Sequence, residues 1–323
     1  MFLDLSGYTL SGKTAIIDLM REFDCCSVQD KEFEFGLLRM KDGLFDLENA
    51  LVKDWSPVRS DSAIRKYSNL VRILSGEYKR YSLKWLFSPS GYNYKELVNK
   101  DFLSISNSYI DSLVTEREET YWPFALHDEG GIACMRSKVS YFLNKDKLQT
   151  NQRMFLDGSQ FYAKTQSYLT DLFNISEHSK VKVLHNSLEP YRARDVGLFF
   201  KNGRCIVIDR DPRVIYSTSI GSNYSNFSSV QHFVKHFKFT RSRANVDSEH
   251  VLTIGLESLI YNYDEVLDTI KFFLGFSNSQ HVNQKRYFDP KLSKKYAEDW
   301  KKVISASDAK YIERELEHYC FDF

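Results

Sequence analysis

An apolar segment, a glycine-flanked loop and a second apolar segment follow one another within residues 1–20. Residues 7–14 read GYTLSGKT and fit the pattern G-x-x-x-x-G-K-[ST]. Residues 1–5, MFLDL, predict a buried strand, and residues 15–20, AIIDLM, predict a helix directly after the loop. In a strand–loop–helix unit of this kind, backbone N–H groups and the positive end of the helix dipole face an anion, and the lysine adds a charge.

This context favours a phosphate-binding loop over a chance match on a turn, because the strand and the helix that the motif requires are both predicted. The expected phosphate ligands lie in the second half of the loop: Ser11, Gly12, Lys13 and Thr14. The loop by itself does not determine which phosphate compound binds or which reaction follows.

Composition is typical of a water-soluble globular protein. Of 323 residues, 42% are hydrophobic and 27% are charged, which argues against a disordered chain. The formal net charge is +1, so no global field attracts nucleic acid, and any anion site must be local. No run approaches the ~18 apolar residues of a membrane span. We therefore expect no nucleic-acid partner and no membrane span.

The cysteines are scattered, with neither a disulfide framework nor metal-ligand spacing. They are Cys25, Cys26, Cys134, Cys205 and Cys320. No secretory signal is recognisable before the first predicted strand. Both observations predict a reducing, cytoplasmic compartment.

Strand and helix patterns alternate at the two ends of the chain and enclose a segment with helical periodicity. We interpret that segment, about residues 45–175, as a largely helical insertion. Examples of its helical patterns cover residues 63–74, 94–115 and 158–173. Strands are predicted over residues 181–185, 204–209 and 251–254. Repeated β–α units predict a parallel sheet flanked by helices. The expected fold class is therefore α/β, with residues 1–323 forming one domain that contains the insertion.

A second anion-binding pattern lies where the predicted strand 204–209 ends. Arg210 leaves the strand, Pro212 sets the start of a helix, and the hydroxyls of Ser217 and Thr218 follow within two turns. An arginine and a hydroxyl in this arrangement can bind a phosphate. Taken alone, the segment fits a surface salt bridge with a helix cap equally well.

Together, the two patterns resemble the sulfotransferase superfamily, which uses 3'-phosphoadenosine 5'-phosphosulfate (PAPS). Residues 10–14, LSGKT, are similar to the family's 5'-phosphosulfate loop, and Arg210 followed eight residues later by Thr218 is similar to its 3'-phosphate motif. Residues 251–276, which contain GLESL and FFLGF, look like the family's Tyr-Glu-Asp-Leu and Phe-Leu-Gly element. Lys294 and Lys295 resemble the family's basic loop, which closes over the 3'-phosphate.

The resemblance implies a P-loop sulfotransferase-like fold, PAPS as co-substrate, its desulfated product PAP, and no required metal. It also implies transfer of a sulfuryl group to a hydroxyl of a carbohydrate or a related small-molecule or glycan acceptor. Lys13 stands where the family has a threonine, and Leu10 stands where many members carry a basic residue, so Lys13 supplies that charge from another position. Thr218 replaces the family's serine beside Ser217, so either hydroxyl is a candidate for the 3'-phosphate.

Two other functions are compatible with the same residues. A P-loop kinase that uses ATP and magnesium needs a carboxylate at a strand end, and Asp209 or Asp211 could provide it. A non-catalytic nucleotide-binding protein of this fold would keep the loop without turnover. PAPS carries two separate phosphate clusters and needs two anion sites, which favours sulfuryl transfer. Neither the acceptor nor the oligomeric state follows from the sequence.

Sulfuryl transfer needs a base for the acceptor hydroxyl and a cation near the leaving phosphate, and we assign the cation to Lys13. His185 is a candidate base because it ends the predicted strand 181–185, where α/β sheets place ligands; the cytosolic branch of the family has its histidine similarly placed. Glu32 and Glu34 alternate after the loop helix, where the tyrosylprotein branch has a carboxylate, although a solvated charged face is an alternative reading. We favour a carboxylate, with Glu34 ahead of Glu32, because this segment closely follows the loop helix.

Overall fold

A computed structural model of the chain describes residues 1–28, 33–76, 93–129, 131–143, 151–175, 180–220, 222 and 227–323. The chain divides into two compact units. Unit 1 comprises Met1–Gly36 and Glu177–Phe323, and unit 2 comprises Leu37–Ser176.

The helices and strands are numbered along the chain. The first part of unit 1 contains β1 (Phe2–Gly7), α1 (Lys13–Met20) and β2 (Cys26–Val28). Unit 2 contains α2 (Leu44–Glu48) with a π-helical continuation (Asn49–Lys53), α3 (Pro57–Leu74), α4 (Tyr94–Leu97), α5 (Phe102–Leu113), β3 (Val114–Thr120), α6 (Ala125–Glu129), α7 (Gly131–Leu143), β4 (Asn151–Leu156) and α8 (Phe161–Leu172). The rest of unit 1 contains β5 (Val181–His185), α9 (Glu189–Arg192), α10 (Val196–Phe199), β6 (Gly203–Asp209), α11 (Pro212–Ser219), α12 (Val230–Ser242), β7 (Val251–Gly255), α13 (Leu256–Tyr261), α14 (Tyr263–Leu274), α15 (Pro290–Ala297), α16 (Trp300–Val303) and α17 (Ala306–Leu316).

A five-stranded parallel sheet forms the centre of unit 1, in the order β2-β5-β1-β6-β7. All six residues of β1 are buried, as expected for a central strand of a parallel sheet with both faces covered. The carboxyl ends of the strands meet at one edge, where β1 leads to the glycine loop, β5 ends at His185 and β6 leads to Arg210. The sheet and its flanking helices confirm the predicted α/β fold class.

Two hydrophobic clusters hold the helices of unit 1. In the first, α1, α13 and α14 pack with the inner residues of β1, β5 and β6. In the second, α11, α12 and α17 pack around Trp300 and Ile304. Helix α14 ends at Leu274, and the following Gly275 adopts a left-handed conformation with φ 72° that favours glycine.

Unit 2 differs from the sequence prediction in two respects, and the first is an antiparallel strand pair, β3–β4, within the predicted helical insertion. Residues 94–115 were expected to be one helix, but α4 ends at Leu97 and α5 starts at Phe102. Between them the Asn99 side chain accepts a hydrogen bond from the Asp101 N–H at 2.9 Å, a local bond that competes with helix continuation. At Val114 the backbone becomes extended, and β3 pairs with β4.

Aromatic residues of unit 2 form part of its core. Tyr109 and Tyr168 stack with ring centroids 4.4 Å apart, and each hydroxyl has a buried partner, Thr165 at 2.8 Å and Ser106 at 2.7 Å. These contacts fix α5 against α8 and satisfy polar atoms that would otherwise be costly to bury.

Among the described helices, none has the length and apolar character that crossing a bilayer requires.

Candidate active site

The glycine loop between β1 and α1 has a tightly constrained backbone. A Cβ atom at Gly7 would lie 2.5 Å from Ser11 Oγ and 2.9 Å from the Ile208 carbonyl oxygen, so only glycine fits. Gly12 has φ 79°, and a Cβ there would lie 2.5 Å from Leu256 Cδ2. Both glycines of the motif are therefore required by local geometry.

The same loop leaves polar groups available for an anion. Ser11 is fully buried, and its Oγ has no hydrogen-bond partner among the described residues. Helix α1 starts at Lys13, its N-cap residue Gly12 provides no side-chain cap, and Thr14 in the first turn is exposed. An unpaired buried hydroxyl beside free helix N–H groups fits a phosphate-type oxygen.

Arg210 lies against the glycine loop. Its Nη1 donates a hydrogen bond to the Leu10 carbonyl oxygen at 3.3 Å, and its Nε lies 3.7 Å from Glu257 Oε1. Burial lowers the pKa of Arg210, although the charges of Glu257 and Asp211 act in the opposite direction. The two anion-binding patterns predicted from separate parts of the sequence thus occupy one continuous stretch of the sheet edge.

Glu257, in the first turn of α13, supports the turn that carries Arg210. Its Oε2 accepts a hydrogen bond from the Asp211 N–H at 3.0 Å, and its side chain is 4% exposed. Burial raises the pKa of Glu257, while the hydrogen bond from the Asp211 backbone opposes that shift. The sequence resemblance included Glu257 within a motif but assigned it no role; the contact to the Asp211 backbone gives it one.

The two aspartates considered as magnesium ligands are both engaged by arginines. Arg241 donates to both carboxylate oxygens of Asp209, through Nη2 and through Nε at 3.2 Å. Arg213 donates to both oxygens of Asp211, at 3.0 and 2.6 Å. Backbone N–H groups also donate to these carboxylates, that of Arg210 to Asp209 and those of Arg213 and Phe321 to Asp211, so few lone pairs are left for a divalent cation.

The remaining residues predicted for the 3'-phosphate lie on two helices. On α11, the hydroxyls of Ser217 and Thr218 donate back to the Val214 carbonyl oxygen at 2.9 and 2.7 Å, and Thr218 is the more exposed of the two. A phosphate oxygen only accepts hydrogen bonds, so either hydroxyl would bind one by turning its O–H away from the Val214 carbonyl oxygen.

On α15, Lys294 and Lys295 are both exposed. Lys294 Nζ lies 4.4 Å from the centroid of the Tyr261 ring at the end of α13. Helix α13 therefore contacts Arg210 through Glu257 and Lys294 through Tyr261.

Two of the three candidates for the base, Glu34 and His185, form a cluster beside Lys13. Lys13 Nζ lies 3.3 Å from Glu34 Oε1, and His185 Nε2 lies 3.8 Å from the same oxygen. Asn186 Nδ2 donates to Glu34 Oε2 at 3.1 Å. Glu34 therefore sits among three polar side chains from α1 and the end of β5. Glu32, the second carboxylate candidate, lies outside the described residues.

Asn186 was not identified from the sequence. The loop that carries it is held in place by the buried carboxylate of Asp4. Asp4, in the middle of β1, accepts hydrogen bonds from the N–H groups of Ser187 and Leu188 at 2.8 and 3.2 Å. Asn186 has a left-handed backbone with φ 53°, a conformation that needs such support in a non-glycine residue. Burial raises the pKa of Asp4, and hydrogen bonds from Ser6, Ser187 and Leu188 oppose that shift.

Comparisons with known proteins give similarity at low sequence identity. No protein-family model matches the sequence, and no curated protein sequence matches it. One similar solved structure is the sulfotransferase domain of the olefin synthase from Synechococcus PCC 7002, with 11% identity, a TM-score of 0.44, and coverage of 100% of this chain and 95% of that one. Another is the sulfotransferase STF9 from Mycobacterium avium, with 12% identity, a TM-score of 0.37, and coverage of 100% and 77%. A third, mouse sulfotransferase SULT7A1 complexed with PAP, has 12% identity, a TM-score of 0.30, and coverage of 47% and 69%.

Proposed function

We propose that the protein is a PAPS-dependent sulfotransferase that moves a sulfuryl group to a hydroxyl of a carbohydrate or related acceptor and releases PAP. The observation that carries this proposal is the contact between Arg210 and the Leu10 carbonyl oxygen, 3.3 Å, which joins two anion-binding elements at one sheet edge. A ligand with two separate phosphate clusters uses both elements, whereas a nucleoside triphosphate uses one.

Each residue of the site has a proposed task. Bound PAPS would supply the sulfuryl group and a phosphate leaving group. Ser11, Lys13 and the N–H groups of α1 would hold the 5' end, with Lys13 stabilising charge that grows on the leaving oxygen. Arg210, with Thr218 or Ser217 and the basic pair Lys294 and Lys295, would hold the 3'-phosphate.

Glu34 is the proposed base. Its carboxylate lies 3.3 Å from the Lys13 ammonium, so an acceptor hydroxyl that reaches Glu34 also reaches the end of the phosphate loop. Glu34 would take the hydroxyl proton as the acceptor oxygen attacks sulfur. His185 and Asn186 would orient the carboxylate, and Glu32 stays an alternative base.

The kinase alternative has less support. Asp209 and Asp211 each pair with an arginine through two hydrogen bonds. Breaking a paired, partly buried carboxylate away from its guanidinium is costly, so neither aspartate is well suited to hold magnesium. We further propose that the chain acts as one sulfotransferase-like domain in the cytoplasm, which fits its five free cysteines.

Thermal unfolding with different ligands tests the proposed function. A ligand that binds only the folded protein raises the melting temperature by mass action. We expect PAP in the presence of EDTA to raise the Tm more than ATP with magnesium does. A larger shift with ATP and magnesium would support a kinase instead. A PAP shift without sulfated product from any acceptor would support a non-catalytic nucleotide-binding protein.

Arg210→Ala should change ligand selectivity. If Arg210 binds the 3'-phosphate, its loss should weaken PAP binding by about 10- to 100-fold, the cost of one or two charged hydrogen bonds. Adenosine 5'-phosphosulfate lacks the 3'-phosphate and should be affected little. Arg204→Ala is the matched control, because Arg204 lies at the opposite end of β6. Titration calorimetry measures the affinity for both ligands. If Arg210→Ala weakens the binding of both by the same factor, Arg210 has only a structural role.

Thr218→Val and Ser217→Ala identify the second ligand of the 3'-phosphate. Thr218→Val removes a hydroxyl at similar size and should shift selectivity in the same direction as Arg210→Ala, but more weakly. Selectivity measured for both variants by calorimetry distinguishes the two positions. If only Ser217→Ala produces the shift, Ser217 is the ligand and the assignment of Thr218 is wrong.

Asp4→Asn should reduce turnover without weakening PAP binding. Asparagine keeps one accepting oxygen but places an NH₂ group against a donor, so the loop that carries Asn186 loses support. We expect kcat to fall by about tenfold. Cys205→Ala is the control, because Cys205 Sγ lies 4.0 Å from Asp4 and the substitution leaves the loop contacts intact.

A double-mutant cycle separates positioning from general destabilisation. If Asp4 acts through Glu34, Asp4→Asn should have little further effect on kcat in a Glu34→Gln background. If the effects of Asp4→Asn and Glu34→Gln on kcat are fully additive, Asp4 serves only stability. The same conclusion follows if Asp4→Asn weakens PAP binding by the same factor as it lowers kcat.

A further inference from the structure

Helix α7 of unit 2 carries an unusual number of exposed apolar side chains. Six large hydrophobic residues in this one helix are at least half exposed: Tyr141 (56%), on the opposite side of the helix, and five others, Ile132 (76%), Met135 (60%), Val139 (51%), Phe142 (78%) and Leu143 (72%). Single exposed apolar residues are common on protein surfaces, but a contiguous group marks an interaction site.

The five side chains share one face of α7. Successive residues of an α-helix are rotated by about 100°, so positions 132, 135, 139, 142 and 143 fall within a sector of roughly 100°. Cys134 lies outside this sector and donates from its Sγ to the Leu126 carbonyl oxygen of α6 at 3.3 Å. The helix thus contacts α6 with another side and leaves the apolar face exposed.

Charge at the edges of the apolar face indicates what it contacts. Arg136 and Lys138 are exposed. With a rotation of about 100° per residue, they fall on opposite edges of the apolar sector. Residues 131–143, GIACMRSKVSYFL, include no acidic residue. An apolar sector with basic residues on both edges is one feature of helices that lie in the interface of an anionic membrane.

We propose that α7 docks on the surface of a bilayer that contains anionic lipid. The apolar face would enter the boundary between headgroups and acyl chains, while Arg136 and Lys138 would extend their apolar stems and bring their charges to the lipid phosphates. This docking involves no spanning helix and does not depend on the proposed enzymatic activity.

A second copy of the chain suits this face less well. Pairing two α7 helices would bring Arg136 and Lys138 of both copies to the same interface without any acidic residue of α7 to offset them. Like charges facing each other across an interface disfavour association. An anionic surface, in contrast, pairs with both basic residues at once.

Vesicle binding by the full chain tests the proposal. We expect co-sedimentation with phosphatidylcholine vesicles that contain phosphatidylserine, with a partition coefficient about 10- to 30-fold above that for pure phosphatidylcholine. Raising the salt concentration should reduce this preference. Phe142→Trp should give fluorescence that shifts to shorter wavelength when the anionic vesicles are added.

Variants at the charged and at the apolar positions of α7 separate the contributions of charge and of apolar contact to vesicle binding. The pair Arg136→Glu and Lys138→Glu should abolish the preference for phosphatidylserine, and the pair Ile132→Ser and Phe142→Ser should abolish binding. Phe272→Ser is the control, because Phe272 in α14 of unit 1 is 91% exposed but lies outside α7. Circular dichroism checks that each variant is folded.

Three outcomes would overturn the proposal. The first is a wild-type chain that binds neither vesicle type, and the second is α7 variants that bind vesicles as the wild type does. The third is a concentration-dependent dimer in sedimentation velocity that the α7 variants abolish while vesicle binding is unchanged, which would assign the face to a second copy.

Discussion

Replacing Lys13 with alanine is expected to lower kcat by about 10²- to 10³-fold, the usual effect of removing one group that stabilises transition-state charge. PAP binding should weaken by a smaller factor of about 10 to 100, because a phosphate in the ground state loses one charged hydrogen bond. The difference between the two factors is the informative quantity. It separates a residue that stabilises the transition state from one that only binds the ligand.

Lys201→Ala is the matched control for this experiment. Lys201 is an exposed lysine two residues before the start of β6, at the sheet edge opposite the glycine loop. Its replacement removes the same charge from unit 1 without touching the site, so both kcat and PAP affinity should stay at wild-type values. Normal turnover in Lys13→Ala would contradict the role assigned to Lys13.

Glu34→Gln should lower kcat by about 10²- to 10⁴-fold, the range expected for loss of a general base. Glutamine keeps the shape of the side chain and can still contact Asn186 and Lys13, so PAP affinity should change little. Because an ionised base makes the rate rise with pH, the variant should also lose that rise. Stopped assays at saturating PAPS across a pH series measure both effects.

His185→Asn identifies which member of the cluster is the base. His185 Nε2 lies 3.8 Å from Glu34 Oε1, so a positioning role predicts a modest loss of kcat and a pH dependence that persists. If His185→Asn abolishes turnover while Glu34→Gln retains it, the histidine is the base. Glu32→Gln belongs in the same series and should leave kcat close to the wild-type value.

Local sequence patterns were sufficient to predict several elements of the candidate site. The glycine loop is encoded by eight consecutive residues whose geometry requires glycine at positions 7 and 12. Arg210 could be found because a strand, a charged residue and a proline occur in order. Such signals depend on near neighbours in the chain, which is why they can be recognised without a structure.

Other residues depend on contacts between distant segments and carried no local signal. Asn186 meets Glu34 across 152 positions of the chain, and Ser187 meets Asp4 across 183. Asp4 lies within an apolar strand and was included in the apolar segment, because its hydrogen-bond donors come from another strand's loop. The strand pair β3–β4 was missed for a related reason, since the pairing of two separated segments decides their conformation.

The central claim is that this site transfers a sulfuryl group from PAPS to a hydroxyl. Mass spectrometry of products formed from PAPS and a glycan and lipid extract, without added magnesium, tests it most directly. We predict an acceptor that gains one sulfuryl group together with an equal amount of released PAP, and about 10²- to 10³-fold slower formation of both with Lys13→Ala. Absence of both products with PAPS, alongside phosphorylated products when ATP and magnesium replace it, would contradict the claim.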